Sequence, residues 1–261
     1  MIPILTVAGS DPTCGAGLQA DMQTITALGG WPMTAVTAVT VQDTRQVHQV
    51  VAMEPEVVAR QMQVCLADMG AGAIKLGMLA HQGIIQAVAQ VLAAYPLIPV
   101  VADPVLAGTG GGTLLAEDAI AAYKTHLFPR ITLLTPNLSE AQRFSGTLIA
   151  DRSQMVTAAR LLQQAGPAIL LTGGHLAGEN VCDLLVTHEL EHWFIQPRIQ
   201  VGEVHGTGCT LASAIAFFLA QGLPLLTATS QAIQFTRHAI LNSLSLGKGQ
   251  RLPLRNRIVP T

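Results

Sequence analysis

The sequence predicts an α/β fold with a central, mainly parallel sheet, helices on both of its faces and a small antiparallel hairpin. Three observations carry this reading. Short apolar runs alternate with amphipathic stretches along the chain, as βαβ units do. Half of the 261 residues are apolar and only 11% are charged, a composition suited to strands covered on both faces. Glycine, proline and Asx residues punctuate the carboxyl ends of the apolar runs, where doubly wound sheets collect ligands.

In chain order, Ile4 to Ala8 is a short apolar run of strand type, and Leu18 to Leu28 follows with helical spacing. Ala35 to Val41 is the second strand. Pro55 to Met69 is a helix with proline in its first turn and Glu54 and Glu56 beside its positive dipole end. Strands at Ala73 to Leu76 and Val100 to Ala102 enclose a helix at Gln82 to Ala94. Further helices fit Ala116 to His126, Ser139 to Phe144 and Ser153 to Ala165, with strands at Thr132 to Thr135 and Ala168 to Thr172. After Gly174 the rhythm changes, and Val181 to Thr187 with Leu190 to Ile195 read as a hairpin. Helices at Thr210 to Ala220 and Pro224 to Leu244 close the pattern. Gly108 to Gly112 is the most flexible stretch. No repeat, low-complexity segment or long linker divides the chain, so residues 1–261 are expected to form one domain.

The formal net charge is -2, so the chain lacks the basic field that draws proteins to nucleic acid or anionic membrane. Its longest uncharged stretch, Gly206 to Thr236, is cut by Gln221-Gly222-Leu223-Pro224, and two buried helices fit it better than a membrane span of roughly 20 apolar residues. Met1 to Val7 enters a strand pattern with no basic leader, so a cytoplasmic location is expected. Four cysteines (Cys14, Cys65, Cys182 and Cys209) and eight histidines show neither CxxC nor HExxH spacing. Disulfides and transition-metal sites are not expected.

The most informative segment is His205-Gly206-Thr207-Gly208-Cys209-Thr210, which opens an apolar helix. Glycines before a helix expose consecutive backbone N–H groups at the positive end of the dipole, which suits a phosphate or a transferring phosphoryl group. The same surroundings are expected to favour a Cys209 thiolate. Its ordinary alternative is a small packing residue at a helix start. GxxxxGK[ST] is absent, and no GxGxxG follows the first strand.

These residues resemble the ribokinase-like superfamily, and within it the hydroxymethylpyrimidine/phosphomethylpyrimidine kinases. The resemblance lies in Ala8-Gly9-Ser10-Asp11-Pro12, Gly15-Ala16-Gly17-Leu18-Gln19-Ala20-Asp21, Ala38-Val39-Thr40-Val41-Gln42-Asp43-Thr44 and Lys75-Leu76-Gly77-Met78-Leu79. It continues through Asp103-Pro104-Val105, Thr135-Pro136-Asn137 with Glu140, Gly173-Gly174-His175 and the segment at 205–210. It implies a ribokinase-like α/β fold, ATP and Mg²⁺ as cofactors, and phosphorylation of 4-amino-5-hydroxymethyl-2-methylpyrimidine and of its monophosphate in thiamine biosynthesis. Relatives are often dimers, so a homodimer is one expectation.

By the same resemblance Gly206, Thr207 and Gly208 match the anion hole, and Cys209 matches the residue that accepts the hydroxyl proton, with His205 close enough to assist or to serve structure alone. Gly9, Asp21, Gln42, Met78 and Val105 match positions around the pyrimidine. Gln42 can donate and accept together, while Met78 and Val105 can cover the ring faces. Asn137, Glu140, Thr172, Gly174 and Thr210 match the nucleotide positions, with Asp103 and Glu140 as the magnesium carboxylates. Ordinary alternatives stand beside them: Met78 as core packing, Asp103 as a strand end before Pro104, Glu140 as a first-turn acid.

Two departures bear on the activity. Thr172 stands where many relatives have lysine, and Ala107-Gly108-Thr109-Gly110 stands where many have Lys-Ser-Gly. Two phosphate-neutralising charges are therefore missing. A pyridoxal kinase is the nearest rival reading, and a catalytically idle pyrimidine-binding or regulatory protein is another.

Overall fold

A computed structural model describes residues 1–106 and 117–255. Gly108 to Gly112, the departure at 107–110 and the expected helix start at Ala116 lie outside the described residues.

The strands β1 (Pro3–Ser10), β2 (Trp31–Gln42), β3 (Val47–Ala52), β4 (Ala73–Leu76), β5 (Val100–Ala102), β6 (Leu133–Leu134), β7 (Ala168–Leu171), β8 (Asn180–Val186) and β9 (Glu191–Pro197) form one sheet. Their order is β3-β2-β1-β4-β5-β6-β7-β8-β9. Neighbours from β2 to β7 are parallel, whereas β3, β8 and β9 run antiparallel to theirs. This is the mainly parallel sheet with a small antiparallel hairpin, β8–β9, that the sequence predicts.

One strand was not anticipated. β3 lies at the sheet edge with mostly half-buried or exposed residues, and His48 and Gln49 interrupt its apolar pattern. Its pairing follows instead from a turn: Asp43 Oδ1 accepts the N–H groups of Arg45 (2.7 Å) and Gln46 (3.0 Å), folding the chain back along β2. Register then pairs Val39 with Val51 and Val41 with Gln49.

Helices α1 (Gly17–Ala27), α2 (Pro55–Asp68), α3 (Gln82–Ala93), α4 (Glu117–Ala122), α5 (Leu138–Ser145), α6 (Arg152–Gln163), α7 (Thr207–Ala220) and α8 (Leu225–Leu241) cover the two faces. The helix expected at Ala116 to His126 is irregular. Its final turn widens over Tyr123–Leu127 and tightens over Phe128–Arg130, where Pro129 cannot continue a regular ladder. Val58, Met62, Ile84, Val88, Phe144 and Met155 build one core layer from α2, α3, α5 and α6. Ile25, Ile215, Phe217 and Ile233 build the opposite layer from α1, α7 and α8. Successive β1 residues feed both, since Ile4 packs in the second layer and Leu5 in the first. Among the described residues no helix is long and apolar enough to cross a membrane.

Candidate active site

Sheet order changes direction between β1 and β4: after β1 the chain adds β2 on one side, and later β4 on the other. Such a switch point opens a crevice beyond the carboxyl ends of the strands. Two cavities lie there. One, of about 310 Å³, is walled by Gly9, Gln42, Met78, Val105 and Cys209. The other, of about 350 Å³, is walled by Thr172, Gly174, Asp183, Arg198 and Arg237. Asp103, Asn137, Glu140, Thr207 and Gly208 line both, so the chambers share a wall.

Glycines allow this crevice to close around itself. Gly206 holds φ +74, and a Cβ there would collide with the carbonyl oxygen of Gly15. Gly17 holds φ +60, and a Cβ there would strike the carbonyl oxygen of Gly9. Backbone therefore crosses backbone, which brings the entrance of α7 against the loop after β1. Thr210 N–H is the first amide bonded within that entrance, to Gly206 O at 3.1 Å. The amides of Thr207, Gly208 and Cys209 precede the helical ladder at its positive end. The helix thus starts earlier than the expected Thr210. Across from it, a Cβ on Gly208 would stand 3.2 Å from Asp103 Oδ2.

Asn137 and Glu140 join the shared wall from the start of α5, where they form a capping box. Asn137 Oδ1 accepts from Glu140 N–H (3.0 Å), and Glu140 Oε2 accepts from Asn137 N–H (2.9 Å).

Two expected site residues sit beneath the chambers instead of lining them. Asp21 is fully buried, and its carboxylate accepts from Lys75 Nζ (2.9 Å), Ser213 Oγ (2.8 Å) and Thr6 Oγ1. Thr210 is also fully buried; its hydroxyl donates to Gly206 O (2.9 Å) and accepts from Arg255 Nε (2.8 Å). Their polarity is consumed in holding α1, β4 and α7 together.

Residues 11–254 match the family profile described as phosphomethylpyrimidine kinase. A hydroxymethylpyrimidine/phosphomethylpyrimidine kinase of Streptomyces coelicolor is 41% identical over 94% of this chain and 91% of its own length. The chain belongs to the phosphomethylpyrimidine kinase family. A thiamine biosynthesis bifunctional protein ThiED of Geobacter sulfurreducens is 42% identical over 94% of this chain, which spans 50% of that longer protein. The pyridoxal kinase of Staphylococcus aureus in complex with ADP superposes with a TM-score of 0.91 at 30% identity, over 98% of this chain and 94% of that one. The same kinase with AMP-PCP and pyridoxal gives 0.90 at the same identity and coverage.

Electrostatics in this member of the phosphomethylpyrimidine kinase family correct one expectation. Cys209 is not a standing thiolate: burial pushes its thiol up to about 12, with Lys75 opposing and Asp103 and Asp21 adding to the rise. Desolvation is the largest cause, at a residue only 8% exposed. Asp103 is raised to about 6, first by burial and then by Asp21, while Lys75 and a hydrogen bond with the Cys209 thiol pull it down. Glu140 is raised to about 8 by burial and by the Asp103 charge.

Four polar residues at or under the site carried no firm assignment from sequence. Lys75 lines the first chamber while its ammonium is fully buried; burial alone would lower its pKa, and the charges of Asp21 and Asp103 more than reverse this. A lysine within the apolar run of β4 was the available signal, since a buried charge demands a partner. Asp11 and His205 line the same chamber. Arg255, 2% exposed, donates to the carbonyl oxygens of Gly15 (2.6 Å), Cys14 (3.3 Å) and Gly206 (3.4 Å) and so locks the crossing of the glycine loops. Nothing in the aperiodic segment around Arg255 marks that role.

Proposed function

We propose that the chain transfers the terminal phosphoryl group of ATP to the hydroxymethyl oxygen of 4-amino-5-hydroxymethyl-2-methylpyrimidine, and then a second one to the monophosphate. The observation that carries this reading is the wall shared by the two chambers, where backbone amides and two carboxylates converge next to the Cys209 thiol of the first chamber. The alcohol occupies the chamber of Gly9, Gln42, Met78 and Val105. The nucleotide occupies the other, along Asn137, Thr172 and Gly174, where Arg198 and Arg237 supply positive charge in the absence of a lysine at 172.

The hydroxymethyl oxygen attacks the terminal phosphorus as the bond to the bridging oxygen breaks and ADP leaves. The amides of Thr207, Gly208 and Cys209 hold the phosphoryl oxygens as charge redistributes over them. Cys209 accepts the hydroxyl proton on sulfur while its own proton passes to an oxygen of the transferred phosphoryl group. This relay dispenses with a resident thiolate.

Asp103 and Glu140 fit Mg²⁺ together with phosphate oxygens and water, the donor set this ion prefers. Their raised pKa values express two negative charges held together away from water, which a cation relieves. Among the described residues no group of three or more His, Cys, Asp or Glu is placed to cage a metal by itself. When bound, the ion neutralises phosphate charge.

A second reading, pyridoxal as acceptor, is favoured by the close superposition on a pyridoxal kinase holding AMP-PCP and pyridoxal. The test is a panel of the aminopyrimidine alcohol, its monophosphate and pyridoxal with ATP and Mg²⁺, followed by mass spectrometry. Mono- and diphosphates of the pyrimidine support the first reading. Pyridoxal phosphate alone supports the second, and no product from any acceptor favours an idle binding protein.

A further inference from the structure

Gln42, the side chain assigned above to the heterocycle, does not stand alone. With its amide nitrogen turned toward His205, Gln42 Nε2 lies 2.9 Å from His205 Nε2. The same imidazole nitrogen lies 3.2 Å from Asp11 Oδ2. Asp11 is 3% exposed, and its carboxylate accepts from Thr13 N–H (2.8 Å), Thr13 Oγ1 (2.8 Å) and Ala16 N–H (2.9 Å). Donors surround it, so it is the anionic form that these bonds stabilise.

A carboxylate facing His205 Nε2 requires a proton on that nitrogen. Nε2–H cannot also accept from an amide N–H, so the Gln42 amide must turn over and present its oxygen to the imidazole. A second contact agrees. Thr40 Oγ1 donates its one proton to Ser10 O at 2.9 Å, and therefore has only a lone pair for the other end of the Gln42 amide, 3.4 Å away. With the amide turned over, His205 Nε2–H is shared between Asp11 and the Gln42 oxygen, and the Gln42 nitrogen donates to Thr40. Its second N–H remains for the chamber that Gln42 lines.

We propose that Asp11 and His205 are positioning residues that fix the Gln42 amide with an N–H toward the substrate chamber, so that the site selects a heterocycle offering a ring-nitrogen acceptor there. The claim rests on the substrate chamber assigned under the proposed function. Asp11 acts through the imidazole, and the imidazole through the amide.

Two measurements on the full chain test it. In protein carrying ¹⁵N-labelled histidine, NMR should find His205 Nε2 protonated; an unprotonated, acceptor-type Nε2 overturns the proposal whatever the substrate proves to be. Second, kcat/KM for the aminopyrimidine alcohol is measured in a double-mutant cycle. Asp11→Asn and His205→Ala should each lower it about tenfold, as loss of one oriented hydrogen bond does. In a Gln42→Ala background each should then cost less than about twofold, because the amide they orient is gone. Equal losses in both backgrounds overturn the proposal. Should Asp11→Asn disturb the turn it caps, His205→Ala gives the same answer without touching that turn. A wild-type protein inactive on the alcohol would end the pyrimidine reading alone, with the tautomer still deciding this one.

Discussion

At Cys209 the thiol lies between Lys75, which favours a thiolate, and Asp103 and Asp21, which oppose it. Cys209→Ala should therefore reduce kcat by about 10²–10⁴-fold, the usual worth of a positioned proton acceptor, while ATP binding measured by calorimetry and the fold measured by circular dichroism stay unchanged. Near-normal turnover would remove the sulfur from the proton path. Glu140 gives a stability signature. Its carboxyl is raised from 4.5 to about 8 in the folded chain, so between those values the folded state holds a proton that the unfolded state has lost, and stability falls as pH rises through that window. Glu140→Gln keeps an acceptor for the capping box but cannot ionise. Its Tm should match wild type near pH 5 and exceed it by several degrees near pH 8 in thermal scans of the protein alone. Of the positions that the sequence singles out, Gly9, Gly206 and Gly208 line the first chamber. Asp21 and Thr210 lie fully buried beneath it, and a polar residue early in a helix looks the same in sequence whether it faces a ligand or the core.

Among the elements, α7 and α5 make a matched pair of glycine caps. Gly206 at the start of α7 and Gly146 at the end of α5 hold φ +74 and +73, yet a Cβ at Gly146 meets nothing within 4 Å while one at Gly206 strikes Gly15. Gly146→Ala should cost about 1–2 kcal/mol, the left-handed penalty alone, and leave kcat intact. Gly206→Ala should lower stability further and cut kcat at least about a hundredfold, as loss of oxyanion-type donors does; equal effects in both variants, by thermal scan and initial rates, would remove the crossing of loops from the argument. Apolar periodicity made the parallel strands and the long helices readable. It could not reveal β3, whose position comes from a turn at Asp43 and whose side chains lie half in water.

For the molecule as a whole, the ion pair of Lys75 with Asp21 joins the sheet at β4 to α1 and, through Ser213, to α7. Lys75→Met leaves a buried carboxylate without its cation and should cost about 3–5 kcal/mol in chemical denaturation. The double variant with Asp21→Leu should recover most of that loss; a double variant as unstable as the single one would mean that the pair is not what joins the layers. The doubly wound layout and the place of the crevice were legible because alternating elements and loop punctuation reflect topology. The ties between layers were not, because nothing local announces that residues 21, 75 and 213 will meet, or that Arg255 will reach the carbonyls of Gly15 and Gly206.

The wall common to the two chambers also bears on inhibitor design. A single compound joining an aminopyrimidine to adenosine through a short polyphosphate bridge would fill both compartments at once and lose translational and rotational freedom only once. Its affinity should exceed that of either half by far more than any added contact explains. Bridge length would then act as a ruler for the passage beside Thr207 and Gly208.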